Sequence, residues 1–437
     1  MSNNHLIQEP ARSLPVVEKY DVVVCGGGPA GIASAITAGR AGAKTCIVEH
    51  QGFLGGVWTA GLLSLILGVS EKPSLVDEIR SRLREKDAMN QQRDLYDAEA
   101  MKRLLEEMCE EAGVEIRLYT RLVSAIVSDR RISHIVLEAK DGRFAIQAET
   151  FVDATGDGDL GARAGCGFDF GRSSDGLGQP MTMMALVAGV PAEVRDVPFA
   201  KGKSSTCIPK DKFYAMLSEA GCPTSYTGPS LFPLPNELCC LMINHEYEYC
   251  GLKSKDLTKA SISARAEISR VMDVLTRFPG WEKLRLVATA SYIGVREGRR
   301  IHGIYHVSLE DMMNGVRHED AITRTKFPID IHSVRRSEGG RWSPDAMLKP
   351  IESYDIPLRA LLAADVDNLA MAGRCISGDF YAHASYRQTG SAVCMGEAAG
   401  TIAALGAREG FRSTPLSQVP DFPYARFSPD AVEQSVG

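Results

Sequence analysis

Positive charge is what this chain is short of. Its 49 Lys and Arg stand against 55 Asp and Glu, a formal net charge of -6, which argues against nucleic acid or an anionic membrane as a general partner. No apolar run reaches membrane-spanning length; residues 62–69 form about the longest, a core-sized piece. Residues 1–15 lack the basic-then-apolar order of a signal peptide, so they read as a frayed tail. Cysteine pairs at metal-ligand spacing are missing too. The 11 cysteines are scattered, and several lie in apolar stretches (Cys25, Cys46, Cys109, Cys394), which suits reduced thiols in a cytoplasm. Cys239-Cys240 and Cys250 lie close together without a second pair, so no metal is expected. No internal repeat is visible. What remains is 437 residues, 44% hydrophobic and 24% charged, an ordinary globular composition with length enough for two domains.

The chain is organised around residues 20–49. Tyr20-Asp21-Val22-Val23-Val24-Cys25 is a β-branched apolar run that predicts a buried strand. Residues 32–40 are Ala-rich and end at the breakers Gly39 and Gly42, predicting a short helix; residues 45–48 predict a second buried strand. At the first turn, Gly26, Gly28 and Gly31 fill G-x-G-x-x-G. Gly26 permits the tight turn, Gly28 lets a pyrophosphate approach the backbone, and Gly31 lets helix pack on strand. The helix N-terminus then offers N–H groups and a positive dipole end to phosphate. Glu49 closes the second strand, where an acid accepts hydrogen bonds from a ribose 2′-OH. A complete βαβ unit with its acid in place predicts a dinucleotide site. The spacing does not choose between NAD and FAD.

Next comes His50-Gln51-Gly52-Phe53-Leu54-Gly55-Gly56-Val57-Trp58, whose paired glycines let backbone approach a flat ligand; Trp58 either covers that ligand or is a core aromatic. Met101, Leu104, Leu105 and Met108 recur at helical spacing, with Asp97 as N-cap and Gly113 as stop. Short strands are predicted at residues 114–119, 122–127, 134–139 and 144–147, the last two joined by the Asp141-Gly142 turn. Gly156, Gly158 and Gly161 repeat the fingerprint, yet no second βαβ unit with an acid or arginine follows. That stretch therefore reads as chain returning to the first sheet and passing the same ligand. From about residue 168 to 289 prolines and glycines become frequent, with a strand at 181–190 and helices at 210–220 and 258–278. The texture is that of an inserted cap. A strand at 286–293 leads into Arg296-Glu297-Gly298-Arg299-Arg300-Ile301-His302, a basic cluster that is either a salt-bridged face or a clamp for an anionic group. Residues 367–379 are again strand, glycine turn and acid, and Tyr381-Ala382-His383-Ala384-Ser385-Tyr386-Arg387-Gln388 leads into a small-residue helix at 389–405. Pro415, Pro420, Pro423 and Pro429 mark a loose tail.

On these motifs the sequence resembles the FAD-dependent oxidoreductases of the glutathione-reductase-like superfamily, and more closely the broad bacterial family called FAD-dependent oxidoreductase. The residues that carry this are Asp21-Val22-Val23-Val24 with the first glycine turn and Glu49, Gly55-Gly56, and Asp153-Ala154-Thr155-Gly156-Asp157-Gly158-Asp159-Leu160. To them add Gly294-Val295-Arg296-Glu297-Gly298-Arg299-Arg300-Ile301, residues 368–377, and Gly396-Glu397-Ala398-Ala399-Gly400. The resemblance implies an α/β fold: a Rossmann-like FAD-binding domain with a second, inserted α+β substrate or cap domain. The expected division is 17–167 and 285–410 for the FAD-binding domain, 168–284 for the cap (with part of 300–360 open to either), and 411–437 for the tail. It implies FAD with Gly26, Gly28, Pro29, Ala30 and Gly31 at the pyrophosphate, and Glu49 and His50 at the adenosine end. Gly55, Gly56, Val57 and Trp58 would lie nearer the flavin, Val123 at the adenine, and Ala154, Thr155, Gly156 and Asp157 along the cofactor. Gly373, Arg374 and Asp379 would flank the ribityl chain, with Gly390 and Ser391 opening the helix aimed at the flavin pyrimidine. Two departures matter. No cysteine pair follows Gly56, so this is no disulfide reductase of that superfamily, and no second nucleotide-binding domain is seen in the sequence, so NAD(P)H, if used, would bind transiently at the cap or flavin face.

Such enzymes exchange hydride at the flavin while the protein orients substrate and handles protons. The candidates for that are His383, Tyr381, Tyr386 and Arg387, which precede or open the helix aimed at the flavin, then His302 and Arg299. A lone histidine is more often a satisfied structural residue, and Arg387 either holds a substrate carboxylate or pairs with an acid across the domain interface. The expected function is an FAD-dependent dehydrogenase or reductase for a small organic substrate, anionic if the arginines clamp it. The alternatives are a flavin-dependent monooxygenase using O2 and a non-catalytic flavin-binding protein. A homo-oligomer stays open.

Overall fold

The computed structural model describes residues 7, 9–68, 74–90, 94–196, 206–338 and 350–409. The proline-bearing tail lies outside them. Val22, Val23 and Val24 are fully buried within β1 (Val16–Cys25), where β-branched side chains pack well on a pleated surface. β1 runs parallel to β2 (Thr45–Val48), with helix α1 (Pro29–Arg40) as the crossover, and β2 runs parallel to β3 (Glu115–Arg117). Beyond β1 on the other side come β6 (Gly142–Asp153), β5 (Arg131–Ala139) and β4 (Arg121–Ser128), the last two antiparallel.

The sequence suggests a separate short strand at 144–147. The chain instead runs as one strand of 12 residues, β6, because Gln147 and Glu149 alternate with buried Ala148 and Thr150 and do not break the pleat. One edge of β6 lies along β1. The other is shared: β5 covers its first half, and a returning strand, Leu369–Met371, pairs in parallel with Phe151, Val152 and Asp153. Where the partner changes, the Asn368 amide fills the gap. Its Oδ1 accepts from Ile132 N–H, and its Nδ2 donates to the carbonyls of Ile132 and Glu149, all at 2.9 Å. One buried side chain thus satisfies the strand edges that the switch would orphan.

A second, antiparallel sheet is built from Arg285–Thr289, Ala185–Ala188, Leu238–Met242 and Ser230–Pro233, in that order, under the Ser254–Leu275 helix. Of the predicted strand at 181–190 only the centre joins the ladder; Met181 and Thr182 make single bridges to Glu246 and Gly294. This sheet has its own core, with Met183, Val187, Phe213, Leu241 and Val271 in it. Arg285–Thr289 pairs here and not with the first sheet, and this core runs past residue 284, the expected end of the cap, to Val295. The fold is α/β, a Rossmann-like unit with a second α+β unit. The Thr389–Glu409 helix lies on α1, with Gly396 and Gly400 pressed on the carbonyls of Ala30 and Ser34. Among the described residues no helix is long and apolar enough to cross a membrane.

Candidate functional site

The first glycine turn is tight on three sides and open on one. Gly26 has φ +100° and hands its N–H to Val48 O at 2.8 Å; a Cβ there would sit 2.5 Å from Ala154 O. A Cβ on Gly31 would run into the Gly26 carbonyl. Gly28 is different, since a Cβ there would meet nothing within 4 Å. That open space adjoins the start of α1, which begins with Pro29 and Ala30 and has neither a side-chain cap nor an acid in its first turn. Uncapped N–H groups beside a Cβ-sized space are what a phosphate needs. Glu49 lies behind the turn. Its carboxylate accepts from Gly27 N–H at 2.7 Å and Gln51 N–H at 2.8 Å, with His50 Nδ1 2.9 Å away. Burial pushes this carboxyl up, but the bonds from His50, Gln51 and Gly27 outweigh it and hold it below the ordinary range. A carboxylate has about four acceptor directions, so one remains for a ribose hydroxyl.

The Gly55-Gly56 loop lies over this turn: Gly55 N–H donates to Gly27 O at 2.7 Å, and a Cβ on Gly56 would sit 2.8 Å from Gly28 Cα. Val57 is half-buried, and Trp58 is fully buried in the main core with its indole N–H unpartnered. Asp153 organises the second glycine stretch. It accepts from the Thr155 hydroxyl at 2.7 Å and from Gly161 N–H at 2.8 Å. Gly158 and Gly161 face Ile301, whose side chain a Cβ at either position would meet at 2.9 Å. The space a second pyrophosphate would need is filled. Next to it, Arg374 crosses Gly156 and pairs with Asp157 at 3.0 Å, leaving its Nη1 buried and unpartnered. Gly373, at φ +84°, itself packs on α1: a Cβ there would sit 3.2 Å from Ala30 Cβ. A glycine cradle, a bare helix start, a ribose-ready acid and an orphaned guanidinium N–H together fit a dinucleotide diphosphate.

The other expected contacts take varied positions. Val123 sits at the bulge in the β4–β5 pairing, and its carbonyl accepts from Arg163 Nε at 3.1 Å. Asp379 caps the Phe380–Tyr386 helix, accepting from Tyr381 N–H and Ala382 N–H, and also takes Leu309 N–H at 2.6 Å. Three of that carboxylate's acceptor directions go to backbone, which leaves one, as at Glu49. Gly390 N–H donates to Leu67 O at 2.7 Å, and the Ser391 hydroxyl donates to Gly68 O at 3.4 Å, so residues 67–68 lie on the start of the Thr389–Glu409 helix.

Of the proton and substrate candidates, Tyr386 is fully buried and donates to Ile376 O at 3.0 Å. His383 is fully buried with neither ring nitrogen bonded, and burial, with the charges of Arg300 and Arg387, pulls its pKa well down. Tyr381 is half-buried. The basic cluster splits up. Arg300 pairs with Glu297 in the interior, Arg299 binds Asp157 O and Asp159 across the second glycine stretch, and half-exposed His302 lies 3.4 Å from Asp169. Arg300 and Arg299 are structural ties. Arg387 pairs with Asp330 at 3.0 Å.

Around Arg387 is a cluster that spacing does not reveal. Arg387 uses only Nη2, which also donates to Asp330 O at 2.8 Å and reaches Gln179 Oε1 at 3.5 Å; its Nε is buried and unpartnered. Arg296 donates from Nη1 to Pro180 O at 2.6 Å and to the Thr182 hydroxyl at 2.8 Å, and among the described residues no carboxylate lies within ion-pair distance of it. Burial, and then the charge of Arg387, draws Arg296 down to about 10. His245 stacks on Tyr226 with centroids 4.1 Å apart and meets His332 edge-on at 4.7 Å. Burial, with Arg296 next, lowers His332 to about 4 and pulls His245 well below the ordinary histidine range. These groups come from six separate stretches of the chain, and no periodicity joins them.

A family model described as FAD dependent oxidoreductase matches residues 21–423. The chain is similar to a dihydrolipoyl dehydrogenase of Trypanosoma brucei brucei, 53% identical over 45 residues, which is 10% of this chain and 9% of that protein. It is similar to ferredoxin–NADP reductase 1 of Bacillus licheniformis, 40% identical over 70 residues, 14% of this chain and 20% of that one. The matches therefore span a small part of either relative's length. Among solved structures it is similar to a geranylgeranyl bacteriochlorophyll reductase-like protein of Thermoplasma acidophilum, with TM-score 0.47 and 13% identity over 91% of this chain and 79% of that one.

Proposed function

The chain belongs to the FAD dependent oxidoreductase family, and on that premise we propose that it is a dehydrogenase or reductase acting on a small organic substrate. FAD is its cofactor; when bound it supplies the two-electron centre that accepts or returns a hydride. The observation that carries the reading is the open space at Gly28 beside the uncapped start of α1, backed by Glu49. Gly26, Gly28, Pro29, Ala30 and Gly31 would hold the diphosphate, with Arg374 Nη1 as a further donor. Glu49 would hold the adenosine ribose, and Gly55 and Gly56 would lie toward the flavin. The second unit, 168 to about 295, would cap the substrate. Arg387 orients substrate and Asp330 orients Arg387. NAD(P)H or another carrier would exchange electrons by transient docking, and the setting we propose is cytoplasmic.

The test is anaerobic turnover. The purified holoprotein is mixed with NADH, NADPH and a panel of small alcohols and acids, and flavin bleaching at about 450 nm is followed together with product. Bleaching and product without O2 are expected. Product that appears only when O2 is admitted would replace the dehydrogenase reading with a monooxygenase.

A further inference from the structure

We infer that the buried cluster of Gln179, His245, Arg296 and Arg387, with Asp330 and His332 behind it, is a subsite for the carboxylate group of a small substrate that also carries a hydrogen-bond donor. The inference rests on the proposed oxidoreductase reading for what that substrate then undergoes, but not for whether it binds.

Charge comes first. Arg387 lies near enough to Arg296 for its positive charge to lower that guanidinium's proton affinity, and among the described residues Asp330 is the one carboxylate paired with either arginine. Glu297, the next acid, is committed to Arg300 and accepts Gln179 N–H. Two guanidiniums against one carboxylate leave one positive charge in an interior place, an arrangement that an anion completes. The donors agree. Arg387 Nε and Gln179 Nε2 are buried with nothing to bond, and Gln179 is only 2% exposed. Arg296 has one Nη on Pro180 O and Thr182, and among the described residues no bond from its other N–H groups is seen. Guanidinium forks match the two oxygens of a carboxylate.

His245 adds direction. The Tyr247 hydroxyl has one proton, and it goes to Ser225 O at 3.1 Å. The contact of His245 Nδ1 with that hydroxyl oxygen, 3.3 Å, is then an N–H donating to oxygen. His245 Nε2 is left as a bare lone pair, buried and unpartnered. It suits a substrate O–H or N–H beside the carboxylate. The placement is also apt, since Gln179, His245 and Arg296 flank strands of the second sheet while Arg387 immediately precedes the Thr389–Glu409 helix of the first unit.

Glycolate is the probe, with its uncharged isostere glycolamide and with sulfate as controls, added to holoprotein while flavin absorbance and thermal melting are followed. Glycolate is expected to shift both saturably and glycolamide to shift neither. Arg296→Gln should weaken glycolate roughly tenfold or more, the loss of a charge-assisted bond, and Arg296→Lys should recover part of it. Should Arg296→Gln fold poorly, Gln179→Leu, which removes one donor and no charge, is expected to weaken glycolate by about threefold to tenfold. No saturable response to glycolate in the wild type, or equal affinity in Arg296→Gln and Gln179→Leu, would overturn the subsite. Sulfate binding as tightly as glycolate would overturn its assignment to carboxylates. Glycolate binding that persists where no donor bleaches the flavin would leave the subsite standing and remove the hydride reading alone.

Discussion

Gly28 and Gly31 lie three residues apart in one turn and are glycines for opposite reasons. Gly28 adopts φ -74° and ψ -177°, which any residue tolerates, and its missing Cβ faces open space. Gly31 faces backbone. Gly28→Ala is therefore expected to fold with a melting temperature close to that of flavin-free wild type, and to lose FAD because the methyl fills the phosphate's place. Gly31→Ala forces the turn apart and should cost about 2–3 kcal/mol or more, with little folded protein recovered. Flavin absorbance per chain and a thermal melt decide it; Gly28→Ala with full FAD content would remove the seat we assign. Both roles are legible from G-x-G-x-x-G. The roles of His383, Tyr386 and Asp379 are not, because position near a helix start says nothing of whether a side chain faces a ligand, the core or its own helix's N–H groups.

At the scale of elements, α1 and the Thr389–Glu409 helix hold one another through small residues. Gly396 and Gly400, one turn apart, let that helix touch the carbonyls of Ala30 and Ser34, and the Ser34 hydroxyl donates back to Ala30 O at 2.8 Å. Since α1 presents the phosphate seat, displacing it displaces the seat. Gly400→Val is expected to destabilise the protein by about 2–3 kcal/mol and to lower FAD retention with it. Asp97→Ala removes the N-cap of the Ala98–Glu111 helix, where Asp97 accepts from Glu99 N–H and Ala100 N–H, and should cost about 1 kcal/mol with FAD content unchanged. Urea melts and flavin content on both variants separate the two cases. Equal flavin content in both would refute the coupling of helix contact to seat. The Asp97 cap, the Gly113 stop and the buried Met101, Leu104, Leu105 and Met108 all follow from local sequence, and the helix is as they predict.

For the whole molecule, Glu397 links the Thr389–Glu409 helix to the start of the Leu75–Glu85 helix, accepting Leu75 N–H at 3.0 Å. Burial pushes this carboxyl up to about 7 from its ordinary 4.5. The folded chain thus holds the proton more tightly than the unfolded one. No penalty exists below about pH 4.5, and it grows as pH rises to 7 and stays beyond, reaching at most ~3 kcal/mol. Glu397→Gln keeps the acceptor and cannot ionise. Its melting temperature should match wild type near pH 5 and exceed it at pH 8; a gap independent of pH would show that Glu397 does not ionise in the folded chain at these pH values.

What the sequence by itself determined is the local and the periodic: a βαβ unit, its glycine turn and its acid, because each depends on residues within about thirty positions of one another, and the family through several such short motifs taken together. It also separated the first glycine fingerprint from the second, since only the first has a strand and an acid after it. Tertiary structure decided the rest. Ile301 fills the second fingerprint, the second core extends to Val295, and Gln179, His245, Arg296, Asp330 and Arg387 meet in one buried place. Those meetings join segments far apart in the chain, where neither spacing nor propensity carries any record of direction, and only the packing of the two sheets brings the charges together.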